Sequence, residues 1–292
     1  MNLKTFVKNK LKNFPIIYKL CKILWFYFKK IGLFIFTPFE GLFHRKHMPN
    51  NSVSLVINTE CNIRCQNCYV IDKKDGEMSV EQIRSFINEA RESGYRWDRL
   101  ELRGGETTLH SNFFDILDII KEYKEAVPEC QVELLTNGFG KKVNDIIPKI
   151  PAWVEVYNQN KVPSDQNNVY LDFWNFTTAP IDFFQYRFFT DFSKGCRLIT
   201  DCFGLCLSKY GYYPHPPCAD VDKIFGFNIG IKKLSEVNEK SLRNQMKILC
   251  RYCGFFFEPP KIVHEQIWSE TWERAYKKFK TQKNKADLIL AR

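Results

Sequence analysis

With 292 residues and 45% apolar side chains, the chain is long enough for one large domain, or a domain with an appendage, around an ordinary core. Lys and Arg outnumber Asp and Glu by 43 to 33, but the excess lies in residues 1–50, where Glu40 is the only acidic residue; the balanced remainder excludes a groove built to track nucleic-acid phosphates. Eleven cysteines, an odd count with no small-residue cleavage site ahead of them, argue against an exported disulfide framework and for a cytoplasmic setting, where clustered thiols bind metal or do redox chemistry.

Residues 15–43 are rich in Ile, Leu, Phe, Trp and Tyr, yet Lys29 and Lys30 divide the run into pieces too short to cross a bilayer. On a helical wheel Lys19, Lys22, Lys29 and Lys30 share an arc of about 100°, and Pro15 suits a first helical turn. A lysine stripe beside a Phe/Trp/Leu face predicts a helix lying on an anionic membrane surface through residues 1–46, peripheral at the inner face of the membrane. The alternative is a helix packed on the body with its lysines in water.

From residue 51 short apolar runs alternate with amphipathic stretches. Ser52–Asn58 predicts a strand, residues 79–93 a helix with Ser79 as N-cap and Gly94 past its end, and residues 99–103 a second strand. A helix over 112–126, a strand at Gln131–Thr136, a short helix over 141–147 and a strand over 153–157 follow. This alternation predicts an α/β fold with parallel strands and crossover helices. Residues 169–192 are dense in aromatics and are expected to supply further strands and core closure, and Glu239–Leu249 a helix.

Directly after the first strand stands Cys61-Asn-Ile-Arg-Cys65-Gln-Asn-Cys68-Tyr69. Three thiols on one loop leave one iron of a four-iron cubane without a protein ligand and open to a small chelating molecule; on spacing alone a zinc site completed by a distant residue is the alternative. The spacing resembles the C-x3-C-x2-C signature of the radical S-adenosylmethionine (SAM) superfamily, with Asn67 at the position usually aromatic and Tyr69 following instead. The resemblance implies a partial parallel (β/α) TIM-like barrel, a [4Fe-4S] cluster on Cys61, Cys65 and Cys68, SAM chelated at the open iron, and reductive cleavage to a 5′-deoxyadenosyl radical that abstracts hydrogen from substrate.

The second strand ends in Arg103-Gly104-Gly105-Glu106-Thr107, where two glycines allow close approach of backbone to ligand. The stretch resembles the superfamily's GGEP element, with Thr107 for proline, which implies that Gly104, Gly105 and Glu106 hold the aminoacyl group of SAM. The third strand ends in Thr136-Asn137-Gly138, an ordinary turn when taken singly. In barrel context Thr136 and Asn137 join the other two motifs on the C-terminal rim, where such folds keep their sites.

Further cysteines stand at 196, 202, 206, 218, 250 and 253, with a hairpin expected over residues 205–213, turning near Gly211. This layout resembles the SPASM or twitch extensions of radical SAM enzymes and implies a second [4Fe-4S] cluster on Cys202, Cys218, Cys250 and Cys253, with Cys196 and Cys206 as alternates. A structural zinc ribbon and buried unligated thiols are the other readings. The five histidines show no metal-ligand spacing and are expected to be solvated or structural. The expected organisation is thus a basic segment over 1–50, a barrel core over 51–195, an auxiliary-cluster unit over 196–258 and a charged helical tail over 259–292. The resemblance further implies a flavodoxin- or ferredoxin-like reductant and a peptide substrate. The basic N-terminus favours instead a membrane-proximal saccharide or lipid. A metal-stabilised scaffold without catalysis is the competing class.

Overall fold

A strand buried along its whole length must be covered on both faces and paired on both edges, and Ser52–Asn58 (β1) is such a strand. The computed structural model describes residues 48–65, 68–160, 176–183, 191–193, 195–196, 198–199, 204–256 and 268–290, with side chains to residue 284. The N-terminal helix expected over 1–46, Cys202, and most of 169–192 lie outside the described residues.

The sheet has six strands in the order β4-β3-β2-β1-β5-β6, with Arg99–Gly104 as β2, Gln131–Thr136 as β3, Val154–Asn158 as β4, Leu205–Ser208 as β5 and Gly211–Tyr213 as β6. All neighbours pair in parallel except β5 and β6. The helices Val80–Glu92 (α1), Phe113–Ala126 (α2) and Lys141–Ile146 (α3) connect the first four strands. This is the α/β fold with a parallel sheet that the alternation predicts.

Local chemistry explains the helix boundaries. Ser79 caps α1 in a reciprocal box with Gln82, and Ile83, Phe86, Ile87 and Ala90 form its buried stripe. In α2, Phe113, Ile116, Leu117, Ile120 and Tyr123 do the same, and the Tyr123 hydroxyl donates to the Tyr95 carbonyl while accepting from the Trp97 N–H at 2.8 Å. These helices cover the face carrying Val53, Leu55, Ile57, Leu100, Leu102, Val132 and Leu134. Strand alternation therefore turns Ser54, Glu101, Arg103 and Glu133 to the opposite face.

The segment from residue 204 onward departs from the expected division. The hairpin does form, but its turn is Lys209-Tyr210; Gly211 opens β6 at φ +122°, where a Cβ would meet the Ile231 carbonyl oxygen at 2.3 Å. The hairpin is also no part of a separate unit. Strand β5 pairs with β1, so the sheet crosses the boundary expected at residue 196, and residues 44–292 form one compact unit. A helix that periodicity did not signal, Pro216–Phe225 (α4), opens with two prolines and stops at Gly226 at φ +72°. Glu239–Leu249 (α5) and Glu270–Leu290 (α6) complete the chain.

Trp272 of α6 is fully buried, its ring against Phe176, Phe225 and Trp268, with its indole N–H donating to the Tyr252 carbonyl at 2.6 Å. None of the described helices is long and apolar enough to cross a membrane.

Candidate metal centre

The cysteine loop leaves the C-terminal end of β1 and is held from below by the start of the next rim element. The Gly105 N–H donates to the Asn58 carbonyl at 3.0 Å and the Glu106 N–H to the Glu60 carbonyl at 2.6 Å. A Cβ on Gly104 would lie 2.2 Å from Asn58 Oδ1, and one on Gly105 would lie 2.2 Å from the Glu60 carbonyl oxygen. The glycine pair is required here because the cysteine loop passes directly over it, a demand of the chain upon itself that the motif did not disclose.

Glu106 is fully buried and saturated. Its Oε1 accepts from the Thr108 hydroxyl at 2.7 Å, the Thr108 N–H at 3.2 Å and the Thr136 hydroxyl at 2.8 Å; its Oε2 accepts from the Asn137 N–H at 2.7 Å. In this arrangement the carboxylate ties the end of β2 to the end of β3. Thr107, standing for the usual proline, uses its hydroxyl to donate to the Leu135 carbonyl at 2.9 Å and reinforces the same junction.

Asn137 carries the link onward. Its amide nitrogen lies 2.8 Å from Asn62 Oδ1 and 3.7 Å from the Cys61 sulfur, and the Asn62 amide donates to the Phe139 carbonyl at 2.5 Å. The three rim motifs are therefore one hydrogen-bonded assembly. Two residues that sequence reasoning missed belong to it: Asn62 and Lys73, whose ammonium donates to the Cys68 sulfur at 2.9 Å. Burial opposes the charge on Lys73, but the three thiols overcome it and hold its pKa above the ordinary value. Burial pushes the Cys61 thiol up, against a backbone N–H and Lys73. Tyr69 is half-buried beyond the loop, its hydroxyl pushed up first by burial and opposed by Arg103.

The donor set suits thiolate ligands. None of the three cysteines is in a disulfide, each is partly exposed, and two of the sulfurs already receive N–H donors, the kind of contact that tunes iron–sulfur centres. Among the described residues no three His, Cys, Asp or Glu side chains converge on a point as chelation of a single ion demands. A cubane differs, because its irons sit at separate corners and take their sulfurs one each. Among the described residues no histidine serves the loop: His110 lies on the Met78 carbonyl at 2.9 Å, and His215 is buried, its pKa pulled down to about 3 by burial and by Arg103. Both are structural.

A second group of thiols gathers behind the sheet. The Cys218 thiol is held well above its ordinary range by its hydrogen bond with Cys250 and by burial, with Cys253 and Cys196 also close enough to act on it. Cys253 is raised by burial and then by Cys196 and Cys250. Cys196, expected as an alternate, thus joins Cys218, Cys250 and Cys253. Cys206, the other alternate, does not: on β5 it is fixed beside Ser54 of β1, and its charged neighbours are Asp220 and Arg103.

Residues 52–164 match the family model for a 4Fe-4S single cluster domain. The match covers under half of the chain, and over it the chain is similar to a domain that holds a single [4Fe-4S] cluster. A curated relative, the probable GTP 3′,8-cyclase of Pyrococcus horikoshii, is 32% identical over 99 residues, which are 33% of this chain and 30% of that protein, so the chain spans under a third of this relative. Two solved structures are similar at lower identity. BtrN in complex with AdoMet and 2-DOIA is 15% identical at a TM-score of 0.41, over 74% of this chain and 96% of that one. Streptococcus suis SuiB bound to precursor peptide SuiA is 17% identical at a TM-score of 0.30, over 38% and 24%. The segment matched by the family model spans all three rim motifs and ends before the second thiol group.

Proposed function

We propose that this protein is a radical SAM enzyme whose cluster is held by Cys61, Cys65 and Cys68 and whose substrate binds on the sheet face opposite α1 and α2. When bound, the [4Fe-4S] cluster and SAM supply a one-electron carbon–sulfur cleavage and, from it, a hydrogen-abstracting radical. The observation that carries this reading is the single hydrogen-bonded assembly joining the cysteine loop to Gly105, Glu106 and Asn137. In it, Glu106 and Thr136 position Asn137; Asn137 and Lys73 direct N–H donors at two of the cysteine sulfurs; and the backbone around Gly104 and Gly105 sets the height of the loop above the strands. Anaerobic incubation with dithionite and SAM should yield 5′-deoxyadenosine, and Cys65→Ala should abolish it while the chain stays folded by circular dichroism. A folded Cys65→Ala variant that still forms 5′-deoxyadenosine would refute the assignment, and a non-catalytic scaffold forms none.

Cys218, Cys250 and Cys253 support a second [4Fe-4S] cluster, with Cys196 or Cys202 as the fourth ligand in a twitch-like arrangement. Iron analysis on anaerobically purified protein decides it: about eight irons per chain supports two clusters, and about four removes the second. A flavodoxin- or ferredoxin-like reductant and a peptide or a membrane-proximal saccharide or lipid substrate remain part of this proposal. So does an anionic membrane surface for residues 1–46, which rests on the lysine stripe and is tested by liposome binding of the full chain against a chain lacking those residues.

A further inference from the structure

Lys73, whose ammonium donates to the Cys68 sulfur, stands in a turn between two aspartates that compete for it. The Asp75 N–H donates to the Asp72 carbonyl at 3.3 Å and the Lys74 N–H to Asp72 Oδ1 at 3.2 Å, so Asp72, Lys73, Lys74 and Asp75 form one rigid corner. A lysine beside a free carboxylate pairs with it in a charge-assisted hydrogen bond. Here both carboxylates are taken by groups from distant parts of the chain. Lys223 of α4 stands 3.2 Å from Asp72 and 3.1 Å from Asp75. Lys283 of α6 donates to Asp72 Oδ2 at 2.5 Å and to the Lys74 carbonyl at 3.2 Å. On the far side, the Tyr210 hydroxyl lies 2.7 and 2.8 Å from the two oxygens of Asp75, and Lys209 pairs with that carboxylate at 3.2 Å.

These pairs are sheltered: the Lys223 side chain is 6% exposed and that of Asp72 13%, so water and salt screen them little. Burial opposes the charge on Asp72, yet Lys283 and Lys223 overcome it and hold its carboxyl below the ordinary range. Asp75 keeps Tyr210 and Lys209 whatever happens at α6. Asp72 depends on Lys223 and Lys283, and it is the immediate neighbour of Lys73 in the chain.

We propose that Lys223 and Lys283 are positioning residues: by occupying Asp72 they leave the Lys73 ammonium to the Cys68 sulfur, which makes α6 part of the cluster site. That a cluster sits on Cys68 rests on the radical SAM reading; the occupation of Asp72 rests on the contacts just given. Freed of its two lysines, Asp72 draws Lys73 off the sulfur, and the cluster loses the cation that favours its reduced state.

An EPR-monitored redox titration of the anaerobically reconstituted full chain tests this, read on the signal that is absent from Cys65→Ala. Lys283→Met should make reduction about threefold less favourable, and Lys223→Met combined with Lys283→Met about tenfold. Neither change should add anything in a Lys73→Met background. Nor should Lys283→Met act in an Asp72→Asn background, where the competing carboxylate is gone and the amide oxygen still accepts from the Lys74 N–H. Lys283→Arg keeps the cation and should keep the potential, as should Lys280→Met, on an exposed lysine of the same helix. The proposal is overturned if Lys283→Met leaves the potential alone, or if its shift persists in either background, because a charge acting through space or a loosened fold needs neither Lys73 nor Asp72. Should the double variant fail to fold, Lys283→Met, whose side chain is 30% exposed, carries the test alone. Iron content and 5′-deoxyadenosine formation by the wild-type preparation report separately on the radical SAM reading.

Discussion

Replacing Lys73 by Met keeps the length of the side chain and removes the cation that touches the Cys68 sulfur at 2.9 Å. An electron added to a cluster ligated by that sulfur would sit about 5 Å from the ammonium, and at an effective dielectric of about 20–40 the attraction is about 1.7–3.3 kcal/mol. At 59 mV per tenfold change for one electron, this places the midpoint potential of Lys73→Met about 70–140 mV below that of the wild type. An EPR-monitored redox titration of anaerobically reconstituted protein reads it directly. Lys73→Arg should recover part of the shift, and Lys74→Met, on an exposed neighbour, should leave the potential alone. A potential unchanged in Lys73→Met, or an equal shift in Lys74→Met, would refute the electrostatic reasoning.

Three further outcomes follow from the packing. Burial pulls His215 down to about 3 from 6.5 and pushes Asp220 up to about 6 from 3.8. As pH falls below 6.5 the unfolded chain takes the histidine proton first and stability drops; as it falls through 6 the native state takes the Asp220 proton first and stability rises. The two slopes, each about 1.4 kcal/mol per pH unit, cancel between about pH 4 and 6. Asp220→Asn removes the second, so chemical denaturation should show that variant losing about 2 kcal/mol from pH 6.5 to 5; a flat profile contradicts the assignment. Trp272→Ala deletes the fully buried ring that anchors α6 and should cost about 3–5 kcal/mol in urea unfolding; a loss under about 1 kcal/mol would mean that the helix does not depend on it. Gly105→Ala would place a Cβ 2.2 Å from the Glu60 carbonyl oxygen, so the cysteine loop must shift, and the variant should retain its melting transition but lose iron after reconstitution. Full iron retention argues that the loop height is immaterial.

Apolar patterning alone carried the alternation of strands and helices through residue 158, because the helices bury one stripe and the strands are short apolar runs, both patterns set by local geometry. The cysteine spacing carried the candidate cluster loop for a similar reason: three thiols within eight residues lie on one short segment in any fold. The sequence was mute where partners come from far along the chain. Strand β5 joins β1 across about 150 residues, and the hairpin's alternating pattern is the same whether it stands apart or extends a sheet. Cys196, rather than Cys206, meets Cys218, Cys250 and Cys253 because the pairing of β5 with β1 commits Cys206 elsewhere. Lys73 and Asn62 read as an ordinary lysine and asparagine until the loop folds back on itself. The alignment of Glu101, Glu133 and Glu155 exists only in the register of three parallel strands. Local pattern thus determined the elements and the cysteine loop. Tertiary structure decided which polar groups find partners, because hydrogen-bond saturation depends on distances between segments that no single segment encodes.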